Sequence, residues 1–490
     1  ADRSRGLGDV YKRQSEEEDI AAEIQSRRGP LAISLSSRVA PEFREFERTS
    51  TTVLNAYLMP EVARYLQNLV ARSADAGLPA DIAVMRSSGG LMSAPAAAAL
   101  PASILLSGPA GGVVAAAALG TAHGKSPLVS FDMGGTSTDV CRIEDGRPEV
   151  SYGREIAGYP CLMPSVAIHT VGAGGGSIAW IDDGGSLRVG PQSSGAQPGP
   201  AGYGRGGTAA TVTDANIVLG RIDPGGTLAG ALAVRPDLAG QAVAALGGRL
   251  GMTETAVALG ITRVVEEVMA GAIRRVSIEQ GSDPRGASLV AFGGAGGLHA
   301  TALARRLDMA GVIIPAHAGV FSALGLLLSP PRVDEARTVM LDRSSVGVLD
   351  RATEAVCRKA LAGLEDASGT GGTVGSHVDV RYRGQSHEVA VPYDVGDGWD
   401  LLADRFHRLH AERNGFSRPD DPIEAVTVRA AATGTPAFHW PELPAPTPAG
   451  VAVLGERRVI AAEGLVPAQV YRRAGLAPGD AVTGTSIVEE

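Results

Sequence analysis

The stretch from Leu128 to Ile143 constrains this chain more than any other. Residues 128–132 (LVSFD) read as a buried strand, and residues 140–143 as the second arm of a hairpin. Between the arms stand Met133, Gly134, Gly135, Thr136, Ser137, Thr138 and Asp139. Two glycines let the backbone fold tightly, and three hydroxyls and successive N–H groups line the turn. That arrangement suits phosphate oxygens, and a carboxylate at the strand end, Asp132, suits Mg²⁺ held partly through its waters. The plainer alternative is a glycine-rich hairpin whose aspartates cap the turn.

A second loop of this kind, Gly293, Gly294, Ala295, Gly296, Gly297, follows the apolar strand 289–292 and opens a helix over 297–307. Glycines there permit close approach of a flat or anionic ligand at a helix N-terminus; close strand–helix packing would need them equally. Two other glycine patterns lead nowhere. Three residues lie between Gly120 and Gly124-Lys125-Ser126 where a P-loop needs four. In residues 172–177, Ser177 occupies the third glycine position of a dinucleotide fingerprint, and a strand rather than a helix follows.

Composition narrows the class. Glycine supplies 65 of 490 residues, nearly double the usual ~7%, so many backbone positions turn tightly or approach something closely. The net charge of −9 argues against a nucleic-acid surface. Cys141, Cys161 and Cys357 show no CxxC spacing, which fits a reducing cytoplasm and argues against a disulfide framework or thiolate zinc site. No apolar run reaches the ~18 residues of a membrane span, so the reading is cytoplasmic, with no membrane partner.

The length accommodates about three domains. Helical spacing over 51–74 is expected to break near Pro60, residues 31–35 read as strand, and 253–280 as a long helix. Strands alternating with helices imply an α/β layered fold. Beyond Pro330 and Pro331, helices over 346–365 and 399–413 and strands over 376–391 and 423–432 suggest a separate α+β region. The proline-rich stretch 436–448 reads as a linker before a β-rich tail.

The order of the segments DMGGTSTD, VGAGGGSIAW, GPQSSGAQPGP, TVTDANIVLGR, AFGGAGGLHA and AGVFSALGLL resembles the hydantoinase A / 5-oxoprolinase family. The resemblance implies actin-like ATPase (ribonuclease-H-like) α/β lobes with an additional α+β C-terminal domain. It places the end of the N-terminal domain at 15–50, the ATPase domain at 51–335 and the C-terminal domain at 336–490. It implies ATP and Mg²⁺ or Mn²⁺ as cofactors, a small cyclic-amide substrate, a B-type partner subunit, and a homo- or hetero-oligomer. Carried onto this chain, it assigns Asp132, Gly134, Gly135, Thr136, Ser137, Thr138 and Asp139 to ATP phosphate, with Asp132 as metal ligand. Gly293, Gly294, Gly296 and Gly297 fall on the adenosine side. His169, Thr170, Asp214 and Asn216 become catalytic candidates, and Gly174, Gly175, Gly176 and Ser177 a substrate loop.

The resemblance implies ATP-dependent opening of a ring amide; relatives that carboxylate ketones, and a non-catalytic partner-binding scaffold, are the alternatives. Three positions depart from the family pattern: Ala167 for a common Asp, Gly202 for Cys and Asn414 for Tyr. Residues 1–14 lack periodicity and capping and are expected to be a non-native leader. The family's first phosphate loop, of DxGGTxTD type, is not among these residues, so the chain alone is expected to show little ATPase activity.

Overall fold

The hairpin expected at 128–143 forms, and it sits in the middle of a six-stranded sheet. The structure, a computed structural model, describes residues 14–490 apart from Pro30, Ala80, Ala229, Ala231, 445–446 and 462–463. Most of the expected leader therefore lies outside the described residues. Strands β1 (Leu128–Met133) and β2 (Thr138–Glu144) pair antiparallel from Leu128↔Ile143 to Met133↔Thr138, and β3 (His169–Val171) pairs antiparallel with β2. Helices α1 (Val212–Val218) and α2 (Glu254–Val276) follow, then β4 (Ser288–Phe292), helix α3 (Gly296–Arg306) and β5 (Gly311–Ile313). Across the sheet the order is β3–β2–β1–β4–β5; β4 runs parallel to β1 and to β5, and Arg147–Pro148 extends β2's far side.

Period-two alternation puts Val129, Phe131, Met133 and Val140 on one face of this sheet, all buried. Helix α2 covers them with a stripe at helical spacing, including Val257, Ile261, Val265, Met269 and Ile273. Each such side chain contributes roughly 1.5–3 kcal/mol on burial. Thr253 caps α2 by accepting the Ala256 N–H at 3.3 Å. The helix stops at Val276, and a 3₁₀ turn carries the chain to Gln280.

The chain forms two compact units that interleave in sequence. The sheet just described lies in the unit made of Ala115–Pro148, Ile168–Leu324 and His439–Glu490. The other combines residues up to Val114 with Glu149–Ala167 and Gly325–Phe438. Its main sheet is antiparallel, ordered Arg332–Leu341, Ile423–Thr433, Thr373–Tyr382, Val389–Pro392, and its core takes Leu349, Val356, Trp399 and Phe406 from the helices Val346–Ser368 and Gly398–Asn414. Both helices were legible from spacing alone.

Two expectations fail. Helix Glu45–Asp75 runs unbroken through Pro60; Pro60 and the residue four before it, Ala56, are both exposed, so the carbonyl that loses its partner is open to solvent. Residues 31–35 have no strand partner among the described residues. The chain instead enters the short helix Ser36–Val39, whose start the Glu17 carboxylate holds by accepting the Ser37 N–H at 2.9 Å. Within the proline-rich stretch 436–448, expected as a linker, Trp440 stacks edge-on against Phe321, ring centroids 6.3 Å apart.

Candidate active site

At the tip of the β1–β2 hairpin the only internal bond is from the Gly134 N–H to the Ser137 carbonyl, at 3.0 Å. The N–H groups of Gly135, Thr136 and Ser137 have no partner among the described residues, nor do the Thr136 and Ser137 hydroxyls. Gly135 and Thr136 are exposed, and a Cβ on Gly135 would meet nothing within 4 Å. Three successive free amides at an open turn make an anion-binding concavity. Thr138 is not part of it. Its hydroxyl turns into the core and donates to the Ala173 carbonyl, so two hydroxyls, not three, line the tip.

The loop of Gly174, Gly175, Gly176 and Ser177 lies directly behind. A Cβ at Gly174 would stand 2.6 Å from the Thr136 nitrogen, and one at Gly176 2.9 Å from the Gly135 carbonyl. Gly175 and Gly176 donate to the carbonyls of Gly134 and Gly135 at 3.0 and 2.7 Å, Gly174 donates to the Ser177 hydroxyl at 2.8 Å, and Ser177 donates to the Gly174 carbonyl at 3.1 Å. All four amides are engaged. The loop expected to present its amides to substrate is a buttress that fixes the hairpin from below, and Thr213 at the start of α1 supports it through the Gly175 carbonyl.

Asp132 and Asp139 stand directly opposite one another across the hairpin and so share a face of the sheet. Burial pushes both carboxyls above the ordinary carboxylate range. The Ser322 hydroxyl, 3.1 Å from Asp132, opposes the rise there, the charge of Asp139 adds to it, and Thr170 opposes it at Asp139. Gly293 closes the group: its φ is +80°, and a Cβ would lie 2.3 Å from Asp132 Oδ1. Beyond it Gly294 and Gly297 are exposed, with open space above them, while a Cβ at Gly296 would lie 3.6 Å from the Phe131 carbonyl oxygen; the α3 N-terminus has no side-chain cap.

The remaining candidates separate. Thr170 lies across from Asp139, on the carboxylate face; His169, one residue earlier, points to the opposite face. Burial and then Arg275 lower its pKa, keeping it neutral at pH 7. Asp214 is wholly buried and accepts from Ala201, Gly202 and Thr211, completing the capping box of α1. The TDAN segment is helical. Asn216 is also buried, within 3.2 Å of His299 Nε2, and His299 Nδ1 lies 3.2 Å from Glu266. These residues build the interior beneath the loops. Sequence reasoning passed over Ser322, although its segment AGVFSALGLL had been noted; nothing local marks a serine 190 residues away as the partner of Asp132.

Paired carboxylates, hydroxyls and free amides together can hold a polyanion and one divalent cation. Among the described residues no three His, Cys, Asp or Glu side chains form a metal site alone. A cation here would rest on Asp132 and Asp139 with ligands from the anion or water.

The family's sequence profile, hydantoinase/oxoprolinase, matches residues 48–335, and the hydantoinase/oxoprolinase C-terminal domain matches 373–490. The chain belongs to the hydantoinase/oxoprolinase family. Its relatives include the caprolactamase subunit alpha of Pseudomonas jessenii, 33% identical over 97% of this chain and 71% of that one. Another is the 5-oxoprolinase of Saccharomyces cerevisiae, 32% identical over 85% of this chain but 33% of its own length. The crystal structure of the ATP-dependent caprolactamase of Pseudomonas jessenii superposes with a TM-score of 0.87 at 31% identity, covering 98% of this chain and 72% of that one. A nucleotide-free structure of acetone carboxylase matches more distantly, with a TM-score of 0.72 at 25% identity, covering 98% and 71%. The fold is the α/β ATPase-like fold of these proteins with a C-terminal domain.

Two departures from the family pattern now have a place. Gly202 leaves no room for a side chain, since a Cβ would lie 2.5 Å from Ile217 Cδ1. Asn414 is exposed at the last position of its helix, before Gly415 at φ +78°. Nothing in the structure explains Ala167. Among the described residues no helix is long and apolar enough to cross a membrane.

Proposed function

We propose that this chain is the nucleotide-binding subunit of a cytoplasmic ATP-dependent hydrolase that opens a small cyclic amide, working with a B-type partner subunit. The observation that carries the reading is the open hairpin, with three free amides at its tip and Asp132 and Asp139 paired at its base. ATP, when bound, supplies the phosphoryl group that turns a ring-amide oxygen into a leaving group. The amides of Gly135, Thr136 and Ser137 and the two tip hydroxyls bind and orient phosphate oxygens. Asp132 and Asp139 hold Mg²⁺ or Mn²⁺, which also relieves the repulsion between them. Gly293 and Gly294 let the nucleotide approach the sheet, and the first turn of α3 adds favourable polarity. Of the catalytic candidates Thr170 is the one on the carboxylate face, and it orients Asp139.

The relatives named for 5-oxoproline and caprolactam support a cyclic amide. The likeness to acetone carboxylase favours a second reading, ketone carboxylation, on the same nucleotide site. The test measures phosphate release by the chain with its partner subunit, with MgATP and either 5-oxoproline, a hydantoin or caprolactam, with and without bicarbonate. Slow release is expected, because no DxGGTxTD loop is among these residues, and it should be amide-dependent, bicarbonate-independent and abolished by Asp132→Asn. Release that requires a ketone and bicarbonate would establish the second reading, and no thermal stabilisation by MgATP would leave only a partner-binding scaffold.

A further inference from the structure

The unit that lacks the hairpin bears a partly open cleft of about 1010 Å³. Leu91, Met92, Leu162 and Met163 supply apolar wall, and ten charged side chains reach it. Eight of the ten pair off: Arg38 with Glu18 at 2.9 Å, Lys359 with Glu335 at 2.8 Å, Arg429 with Glu42 at 2.7 Å, and Arg332 with Asp334 at 2.7 Å. Arg429 is answered twice, since Asp379 also accepts from it at 2.7 Å. Arg86 and Asp81 remain, and Asp81 is exposed.

Arg86 is only 7% exposed, yet it has no carboxylate of its own. Asp334 lies 3.5 Å from it and already accepts from Arg332 and from the Ser88 hydroxyl. The Arg86 NH1 reaches the Arg332 carbonyl at 3.4 Å, and its Nε has no partner among the described residues. A desolvated guanidinium with its Nε donor unused and its other contacts long is incompletely satisfied unless an anion completes it. The His377 Nε2, on the same cleft, is also buried and unpartnered, its ring 5.0 Å from Tyr152. Burial, then Arg429 and Arg332, bring that imidazole down to about 3, so at pH 7 it is neutral and offers a hydrogen bond without charge.

We propose that this cleft binds a small carboxylate with an apolar body, the carboxylate completing Arg86 and the body lying on the Leu91, Met92, Leu162 and Met163 wall. Arg86 shares Asp334 with Arg332 and keeps Nε unpartnered, which a single carboxylate would complete. A phosphate dianion would bring an uncompensated second charge into a site whose other cations are paired. The site needs nothing from the nucleotide reading and stands or falls separately.

Isothermal titration calorimetry of the 490-residue chain with hexanoate and hexanamide tests it, since the two differ in charge and little in shape. Hexanoate is expected to bind at least about tenfold more tightly, Arg86→Gln to remove that preference, and Arg86→Lys to keep part of it. Equal affinity for the two, no binding of hexanoate, or a preference that survives in a folded Arg86→Gln would each overturn the proposal. If Arg86→Gln does not fold, the wild-type comparison decides, repeated in phosphate buffer: displacement of hexanoate by millimolar phosphate would assign the site to inorganic anions instead.

Discussion

Two glycine-rich loops lie back to back in this protein and differ in one respect. In the 134–137 turn three amides are free and the space above Gly135 is open; in the 174–177 loop every amide is engaged and a Cβ would strike backbone at Gly174. The first uses glycine to leave room for a visitor, the second to let two backbones touch. Similar composition thus serves binding in one loop and support in the other, and the support is what holds the free amides in place.

Substitution should separate the two roles. Gly174→Ala is expected to have the largest effect, destabilising the fold by about 1–3 kcal/mol in urea melts and removing MgATP binding, because the new methyl displaces the hairpin. Gly135→Ala should leave the melt unchanged and weaken nucleotide alone; an equal loss of stability in both variants would erase the distinction. Ser177→Ala comes next, since it strips the buried Gly174 amide of its acceptor, for about 1–2 kcal/mol. Ser137→Ala, at the open tip, should shift the melt by less than about 0.5 kcal/mol.

The smallest effect concerns pH. Asp132 and Asp139 have folded-state pKa values raised mainly by burial, so the folded protein holds their protons more tightly than the unfolded chain does. Their contribution therefore favours folding when they are protonated and is lost as pH rises from the ordinary value of 3.8 through the raised ones. Asp132→Asn should flatten that part of the stability profile, and millimolar Mg²⁺ should offset the loss in wild type. A profile unchanged by either would show that the two carboxylates do not interact as described.

Much of this was written locally. The hairpin, α2 and the two helices of the other unit follow from alternation, helical spacing and caps, which neighbours in sequence enforce. The failures share a cause. Whether Pro60 breaks a helix depends on where its lost carbonyl faces, and whether 31–35 forms a strand depends on a partner, both properties of the assembled fold. At the site, residue types were legible but their directions were not. Glycine loops look alike until it is known which amides have partners, and a one-residue step along β3 sends His169 and Thr170 to opposite faces.

By itself the sequence determined the family, the elements and the hairpin chemistry, because periodicity, capping and motif order are short-range properties of the chain. Only the tertiary structure decided that Asp214 and Asn216 are interior supports, that Ser322 reaches Asp132 and that Arg86 must share Asp334 with Arg332. Each of these depends on which distant groups compete for the same few hydrogen bonds, and that competition is settled by packing.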